Sequence, residues 1–219
     1  RKRPAIQPGR GPFAFEQPFQ PAPFADGPLL MTLVQLVSPA IEPVGLADFK
    51  AHARIDTDED DTLCLAILLA ARTHVETLAG KVLITQGWRI TADQAPKDGI
   101  MALLVRPVQS VDAVTLYDAE GTPTMLEETD WLADLGGRWP RVQLRRPAAM
   151  RLRGMHGIEV DVTAGYGDNS VDVPSVLRQA ILMLAAHWYD HRATGFDFMT
   201  AGEPDGLFAL IEPYREVRL

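Results

Sequence analysis

The chain has 219 residues, of which 47% are hydrophobic, and a formal net charge of −8 at pH 7. Its length and apolar content suffice for a buried core in one domain or two small ones. The negative net charge argues against a protein that binds DNA phosphates through clustered Lys and Arg. A protein that DNA merely passes remains possible, because a negative wall repels the phosphate backbone.

The single cysteine, Cys64, excludes an intramolecular disulfide and favours a reducing compartment. No apolar run approaches the roughly 20 residues that span a bilayer, so no membrane partner is expected.

Residues 1–30 are rich in proline and are predicted to lack regular secondary structure. Composition is compatible with a disordered tail. It is equally compatible with an extended arm that orders on assembly by docking its phenylalanines on a neighbouring copy. Met31 is a candidate for the natural start of the chain. The phenylalanines that would form this subunit contact are Phe13, Phe15, Phe19 and Phe24.

Three helices are predicted from apolar residues that recur at helical spacing, at residues 46–55, 58–80 and 174–192. An acidic run opens the second helix, where the helix dipole favours anions, and Thr57 is its candidate N-cap. Gly80 is expected to end that helix in the left-handed conformation.

The segment between the second and third helices, residues 82–163, is predicted to form short antiparallel strands. It is rich in β-branched and aromatic residues, and its connections are too short for parallel crossovers. The expected fold class is therefore α+β, with mainly buried helices and an antiparallel β insertion. Residues 31–195 would form the main domain, and residues 196–219 a linker and a C-terminal docking tail.

Two histidines near the end of the third helix raise the possibility of a metal-dependent hydrolase. His187 and His191 are four residues apart and share a helix face. A catalytic zinc helix would carry a glutamate directly after the first histidine, where this chain has Trp188. The alternative is that Trp188 and Tyr189 are core or subunit-interface aromatics, and that His191 and Arg192 suit the negative end of the helix dipole.

Other patterns typical of ligand sites fail at particular positions. A calcium loop starting at the acidic run would need glycine and glutamate where the chain has Asp61 and Ile67. The loop after the last predicted strand has Gly165 and Gly167 but Ser170 in place of the third glycine of a dinucleotide-binding turn. The sequence thus predicts no catalytic residue, no metal and no cofactor.

The order of short motifs along residues 44–219 resembles the head–tail connector, or adaptor, proteins of tailed phages. It is also similar to the adaptors of bacterial gene transfer agents, phage-like particles that package host DNA. The choice between a phage and a gene transfer agent stays open. The positions that carry the resemblance are Leu46, Lys50, His52 and Arg54; Ala70, Ala71, Arg72, Val75 and Glu76; Leu83, Ile84, Gln86 and Trp88; and the segments 106–122, 162–192 and 213–219.

The resemblance implies a structural protein rather than an enzyme. Such adaptors form a ring of twelve copies under the portal protein, extend the DNA channel and provide the platform for the next stopper, neck or tail component. DNA would pass through the ring without specific binding. The chain would assemble in the bacterial cytoplasm and end in the virion neck. A monomeric binding module is a further alternative.

The resemblance also motivates a hypothesis for the C-terminal tail, in which the tail inserts into the portal. Tyr214 would be an aromatic anchor and the arginines polar contacts, because these residue types are enriched in binding hot spots. Under this hypothesis, removal of residues 205–219 leaves a folded protein. The alternative is that Leu207, Phe208, Leu210 and Ile211 pack on the chain's own core. The predicted portal-binding residues are Pro213, Tyr214, Arg215, Val217, Arg218 and Leu219.

Overall fold

The computed structural model describes two antiparallel sheets and a set of packed helices, which confirms the α+β class. The helices are α1 (Leu46–Ala53), α2 (Asp61–Ala79), α3 (Ser175–His191) and α4 (Leu207–Ile211). The strands are β1 (Met31–Val37), β2 (Gln86–Ala92), β3 (Ile100–Ala102), β4 (Val108–Tyr117), β5 (Pro123–Met125), β6 (Trp131–Asp134), β7 (Arg141–Leu144) and β8 (Ile158–Ala164). The structure describes residues 30–137, 139–145, 151–191 and 202–215.

The larger sheet has the strand order β1-β2-β8-β4-β5, and the smaller one has the order β3-β7-β6. Every pair within these sheets is antiparallel, as predicted. Strand β1 lies outside the predicted insertion, and the sequence analysis did not identify it. It pairs along β2 from Met31 opposite Ala92 to Val37 opposite Gly87. Six of the seven residues of β1 are exposed. Its sequence, MTLVQLV, does not show the strict alternation of apolar and polar residues by which a half-buried strand is recognised.

Buried side chains form two cores, one among the helices and one among the strands. The apolar residues whose helical spacing predicts α2 form a stripe along one side of the helix. This stripe lies in the helical core, where Cys64 is completely buried. A thiol buried in apolar surroundings is inert. The stripe residues buried there are Cys64, Ile67, Leu68, Ala71 and Val75.

Helix α2 ends as predicted and begins later than predicted. Gly80 has a φ of 62°, and its N–H donates to the carbonyl of Thr77 at 3.3 Å. The helix begins at Asp61, with Asp60 at the N-cap, so the assignment of Thr57 as the cap was wrong. Lys50 of α1 pairs with Asp58, before this start, and with Asp61, the first residue of the helix.

A glycine loop joins β8 to α3 and fastens the sheet to the helices. Thr85 donates its N–H to the carbonyl of Gly167 at 3.0 Å. Gly165 has a φ of +137°, and a Cβ there would lie 2.6 Å from the backbone nitrogen of Thr85. Only glycine permits this approach. Strand β8 is antiparallel to both of its neighbours, so the loop is a tight strand-to-helix connection without the parallel βαβ unit of a dinucleotide-binding turn.

Candidate assembly contacts

The acidic run before α2 ties three helices together. The ammonium of Lys50 on α1 donates to the Asp61 carboxylate at 2.7 Å and also to Asp58. The hydrogen bond from Lys50 lowers the pKa of Asp58, and the same two carboxylates raise the pKa of Lys50. On the other side, Tyr189 of α3 donates its hydroxyl to Asp60 at 2.7 Å. The run thus makes tertiary contacts to α1 and α3.

The rings of His187 and His191 lie side by side at the end of α3, as their spacing predicts. Their ring centroids are 4.2 Å apart, and Nδ1 of His191 donates to the carbonyl of His187 at 2.7 Å. Within the described parts of the chain, no three His, Cys, Asp or Glu side chains are grouped so that they could hold a metal. This arrangement gives the hydrolase alternative no support.

Trp188 and Tyr189 lie in the helical core of their own copy. Each is only 8% exposed. Trp188 donates its indole N–H to the carbonyl of Gly202 at 3.3 Å, and the ring of Phe49 meets that of Tyr189 edge-on at 6.1 Å. Intramolecular packing therefore accounts for both rings, and their predicted contact with a second copy stays a prediction. Residues Phe13, Phe15, Phe19 and Phe24 lie outside the described residues.

Helix α4, in the described part of the C-terminal segment, packs on the other helices. Leu207 and Ile211 of α4 are completely buried in the helical core, and Tyr214 packs against that core with part of its ring exposed. Removal of residues 205–219 would uncover apolar side chains of this core, so we expect the shortened chain to be destabilised, contrary to the hypothesis drawn from the sequence. Pro213 and Arg215 are exposed, whereas Val217, Arg218 and Leu219 lie outside the described residues.

A buried polar network, which the sequence analysis missed, joins α2 to β2. The Arg72 guanidinium, 7% exposed, donates to Glu42 at 2.8 Å and to Glu76 at 2.6 Å. Glu76 also accepts from the backbone N–H of Leu83 at 2.8 Å and from the side chain of Gln86 at 3.1 Å. Burial raises the pKa of Glu76 despite these donors. The spacing of four between Arg72 and Glu76 could have indicated the pair, but Glu42 and Gln86 come close only in the tertiary structure.

One face of the larger sheet is covered by charge pairs between β2 and β8. Arg89 donates to the Asp161 carboxylate through two nitrogens, at 2.6 and 2.8 Å, and lies 3.0 Å from Glu159. The hydrogen bond that Tyr117 donates to Glu159 raises the pKa of this phenol. The opposite sides of these strands carry Ile90 and Val160, which are buried in the β core. The charged groups described on this face are thus paired with side chains of the same sheet.

Solved structures resemble the chain over most of its length. A chain from the neck of an empty gene transfer agent (GTA) particle, computed with C6 symmetry, matches with a TM-score of 0.73 and 29% identity, covering 86% of this chain and 97% of that one. A chain from the virion of a native GTA particle matches with a TM-score of 0.69 and 30% identity, covering 85% and 96%. A chain from the neck of a native GTA particle, computed with C12 symmetry, matches with a TM-score of 0.67 and 30% identity, covering 86% and 97%. No protein-family model and no curated protein sequence matches.

Identity of 30% over nearly the whole of these chains, together with the shared fold, establishes a family relationship. The class is that of virion neck proteins with an α+β fold. Within that class, the chain belongs to the family of neck proteins of gene transfer agent particles. The resemblance noted from the sequence is confirmed.

Proposed function

We propose that this chain is a structural head-to-tail adaptor that forms a ring of twelve copies beneath the portal of its particle. The observation that carries the proposal is the 30% identity across 97% of a chain from a native particle neck computed with C12 symmetry. The ring would extend the DNA channel and present a platform to the next neck or tail component. Assembly would take place in the bacterial cytoplasm, and the finished ring would reside in the particle neck.

The charge of the chain suits this role. Copies with a net charge of −8 provide a wall that repels DNA phosphates, so DNA can move through the ring without binding to it. The C-terminal end of the described chain offers a candidate portal contact, because Pro213 and Arg215 are exposed and Tyr214 is partly exposed beside α4. Val217, Arg218 and Leu219 would extend this contact.

The arm at residues 1–30 is proposed to contribute a second contact between copies. Its phenylalanines would order on a neighbouring copy only when the ring forms, as expected for a proline-rich segment without a core of its own. The arm carries the opposite charge to the rest of the chain, since four basic residues face two acidic ones in residues 1–30. Electrostatic attraction between the arm of one copy and the body of the next would assist docking.

The direct test is a reconstitution of particle necks. Particles made without this chain would be mixed with the purified protein, and the necks reconstructed by electron cryomicroscopy with and without it. We expect added density for twelve copies beneath the portal and recovery of tail attachment. Complete necks in the absence of the chain, or binding at another part of the particle, would contradict the proposed function.

A further inference from the structure

The outward face of α2 carries no charge. In an ordinary amphipathic helix the water-facing side is charged or strongly polar. Here Leu65 is 51% exposed and Leu69 is 49% exposed. By length and composition α2 could even cross a membrane, yet its inner face packs in the helical core. The exposed residues along the outward face are Thr62, Leu65, Ala66, Leu69, Ala70, Thr73 and Thr77.

Strand β1 is likewise apolar, uncharged and exposed. Among the described strands it forms one edge of the larger sheet. Edge strands of natural proteins are usually protected by charged residues or proline, but the sequence holds no charge from residue 27 to residue 41. Val34 is 45% exposed, Leu36 48% and Val37 61%. An edge of this kind is a template for pairing or packing with another chain.

A groove of about 390 Å³ joins these two features. Thr73 and Thr77 line it from α2, and Leu33 and Gln35 line it from β1. The exposed face of α2, the groove and the side of β1 that faces the groove therefore form one continuous surface. We call it the α2–β1 surface. Its members are Thr62, Leu65, Ala66, Leu69, Ala70, Thr73 and Thr77 of α2, with Leu33 and Gln35 of β1. Val34 lies opposite Arg89 and therefore points to the other side of the sheet.

We infer that the α2–β1 surface is the site where an adjacent copy of this chain packs in the ring. Two copies that each carry a net charge of −8 repel one another, so close approach costs least where charge is sparse. On the α2–β1 surface, charge is confined to the lining of the groove, where Arg72, Glu76, Lys81 and Arg106 lie. The leucines of the surface gain free energy when they leave water. A closed ring also requires each copy to use two different surfaces, and this would be one of the two. The inference rests on the proposed ring.

Site-specific photocrosslinking identifies what covers the surface. A benzoylphenylalanine would replace Leu69 in one variant and Leu33 in another, and each would be irradiated in assembled particles. We expect a product that contains two copies of this chain, with crosslinked peptides from different copies when isotopically labelled and unlabelled protein are mixed. The same photoreactive residue at Glu120, in an exposed turn beyond β4, reports the background. Crosslinks only to another protein, only to residues 1–29 of the same copy, or to nothing would overturn the inference.

Charge insertion provides an independent test. The double variant Leu65→Glu/Leu69→Glu places two carboxylates on the surface, while Met155→Glu alters an equally apolar side chain elsewhere that is 71% exposed. We expect the double variant to keep its thermal transition but to enter necks at least 10-fold less efficiently, and Met155→Glu to enter normally. If the double variant enters normally, the inference fails while the proposed function stands. If the wild-type chain does not enter necks, the proposed function itself fails.

A membrane is the other occupant that the composition of α2 suggests, and vesicle flotation tests for it. The wild-type chain would be mixed with vesicles of phosphatidylethanolamine and phosphatidylglycerol, and its binding compared with that of the double variant. We expect neither protein to float with the vesicles. Flotation of the wild type that the two glutamates abolish would assign the surface to a membrane and overturn the packing of a second copy.

Discussion

Tyr189, near the end of α3, donates its hydroxyl to Asp60 at the start of α2, with 2.7 Å between the two oxygens. The two residues are 129 positions apart in the chain. The bond connects the two longest helices at the point where Lys50 of α1 also joins the acidic run. This corner therefore holds α1, α2 and α3 in a fixed relationship.

The Tyr189–Asp60 bond is expected to contribute measurably to stability. Tyr189→Phe removes the hydroxyl but keeps the edge-on contact with Phe49, so the free energy of unfolding should fall by about 1–2 kcal/mol. Urea denaturation of the wild type, Tyr189→Phe, Asp60→Asn and the double variant would measure the coupling. If the two single changes simply add in the double variant, the bond does not stabilise the fold.

The burial of α4 predicts unequal effects along one short helix. Leu207→Ala or Ile211→Ala empties a position in the helical core and should cost about 2–5 kcal/mol of unfolding free energy. Phe208→Ala changes a ring that is 46% exposed and should cost less than about 1 kcal/mol. Equal, small losses at all three positions would mean that α4 does not dock on the core.

The buried carboxyl of Glu76 should make stability depend on pH. Burial raises its pKa in the folded state above the ordinary value of 4.5. Its stabilising contribution is therefore complete below pH 4.5 and is lost as the pH rises through the folded-state pKa. We expect the difference in unfolding free energy between the wild type and Glu76→Gln to change across that window and to level off above it. A difference that stays constant from pH 4 to pH 8 would contradict the raised pKa.

The histidine pair is expected to bind no stoichiometric zinc. One imidazole nitrogen of His191 already donates to a backbone carbonyl, and the described residues supply no third ligand. Elemental analysis of the purified protein, with His187→Ala as the matched variant, should find well below one zinc per chain in both. One zinc per wild-type chain that disappears in His187→Ala would revive the hydrolase alternative.

The portal contact can be tested without disturbing the fold. A chain that lacks residues 216–219 retains Leu207 and Ile211, so it should unfold at the wild-type temperature. Combined with Arg215→Ala at an exposed position, the truncation should weaken binding to purified portal protein at least 10-fold, because it removes the predicted arginine contacts. Glu212→Gln, an exposed change in the same segment, is the control. Unchanged portal affinity of the truncated variant would refute the tail hypothesis.

The helices are the part of this protein that local sequence specifies most completely. Apolar spacing located the inner stripe of α2, and Gly80 marked its end, because both signals act within a few residues along the chain. The antiparallel insertion was likewise predictable from its β-branched residues and short connections. The resemblance in the order of motifs added the adaptor family.

Other features depend on residues that only folding brings together. Strand β1 became recognisable only through its pairing with β2, whose residues lie 50 to 61 positions further along the chain, since its own residues remain exposed. Thr57 has the residue type of an N-cap, but Asp60 occupies that position in the structure. The neighbouring carboxylates of Asp58 and Asp61 pair with Lys50 of α1. The uncharged outer face of α2 was present in the sequence throughout. Only the tertiary structure distinguished it from the buried stripe, because both faces are apolar and burial is a property of the packed molecule.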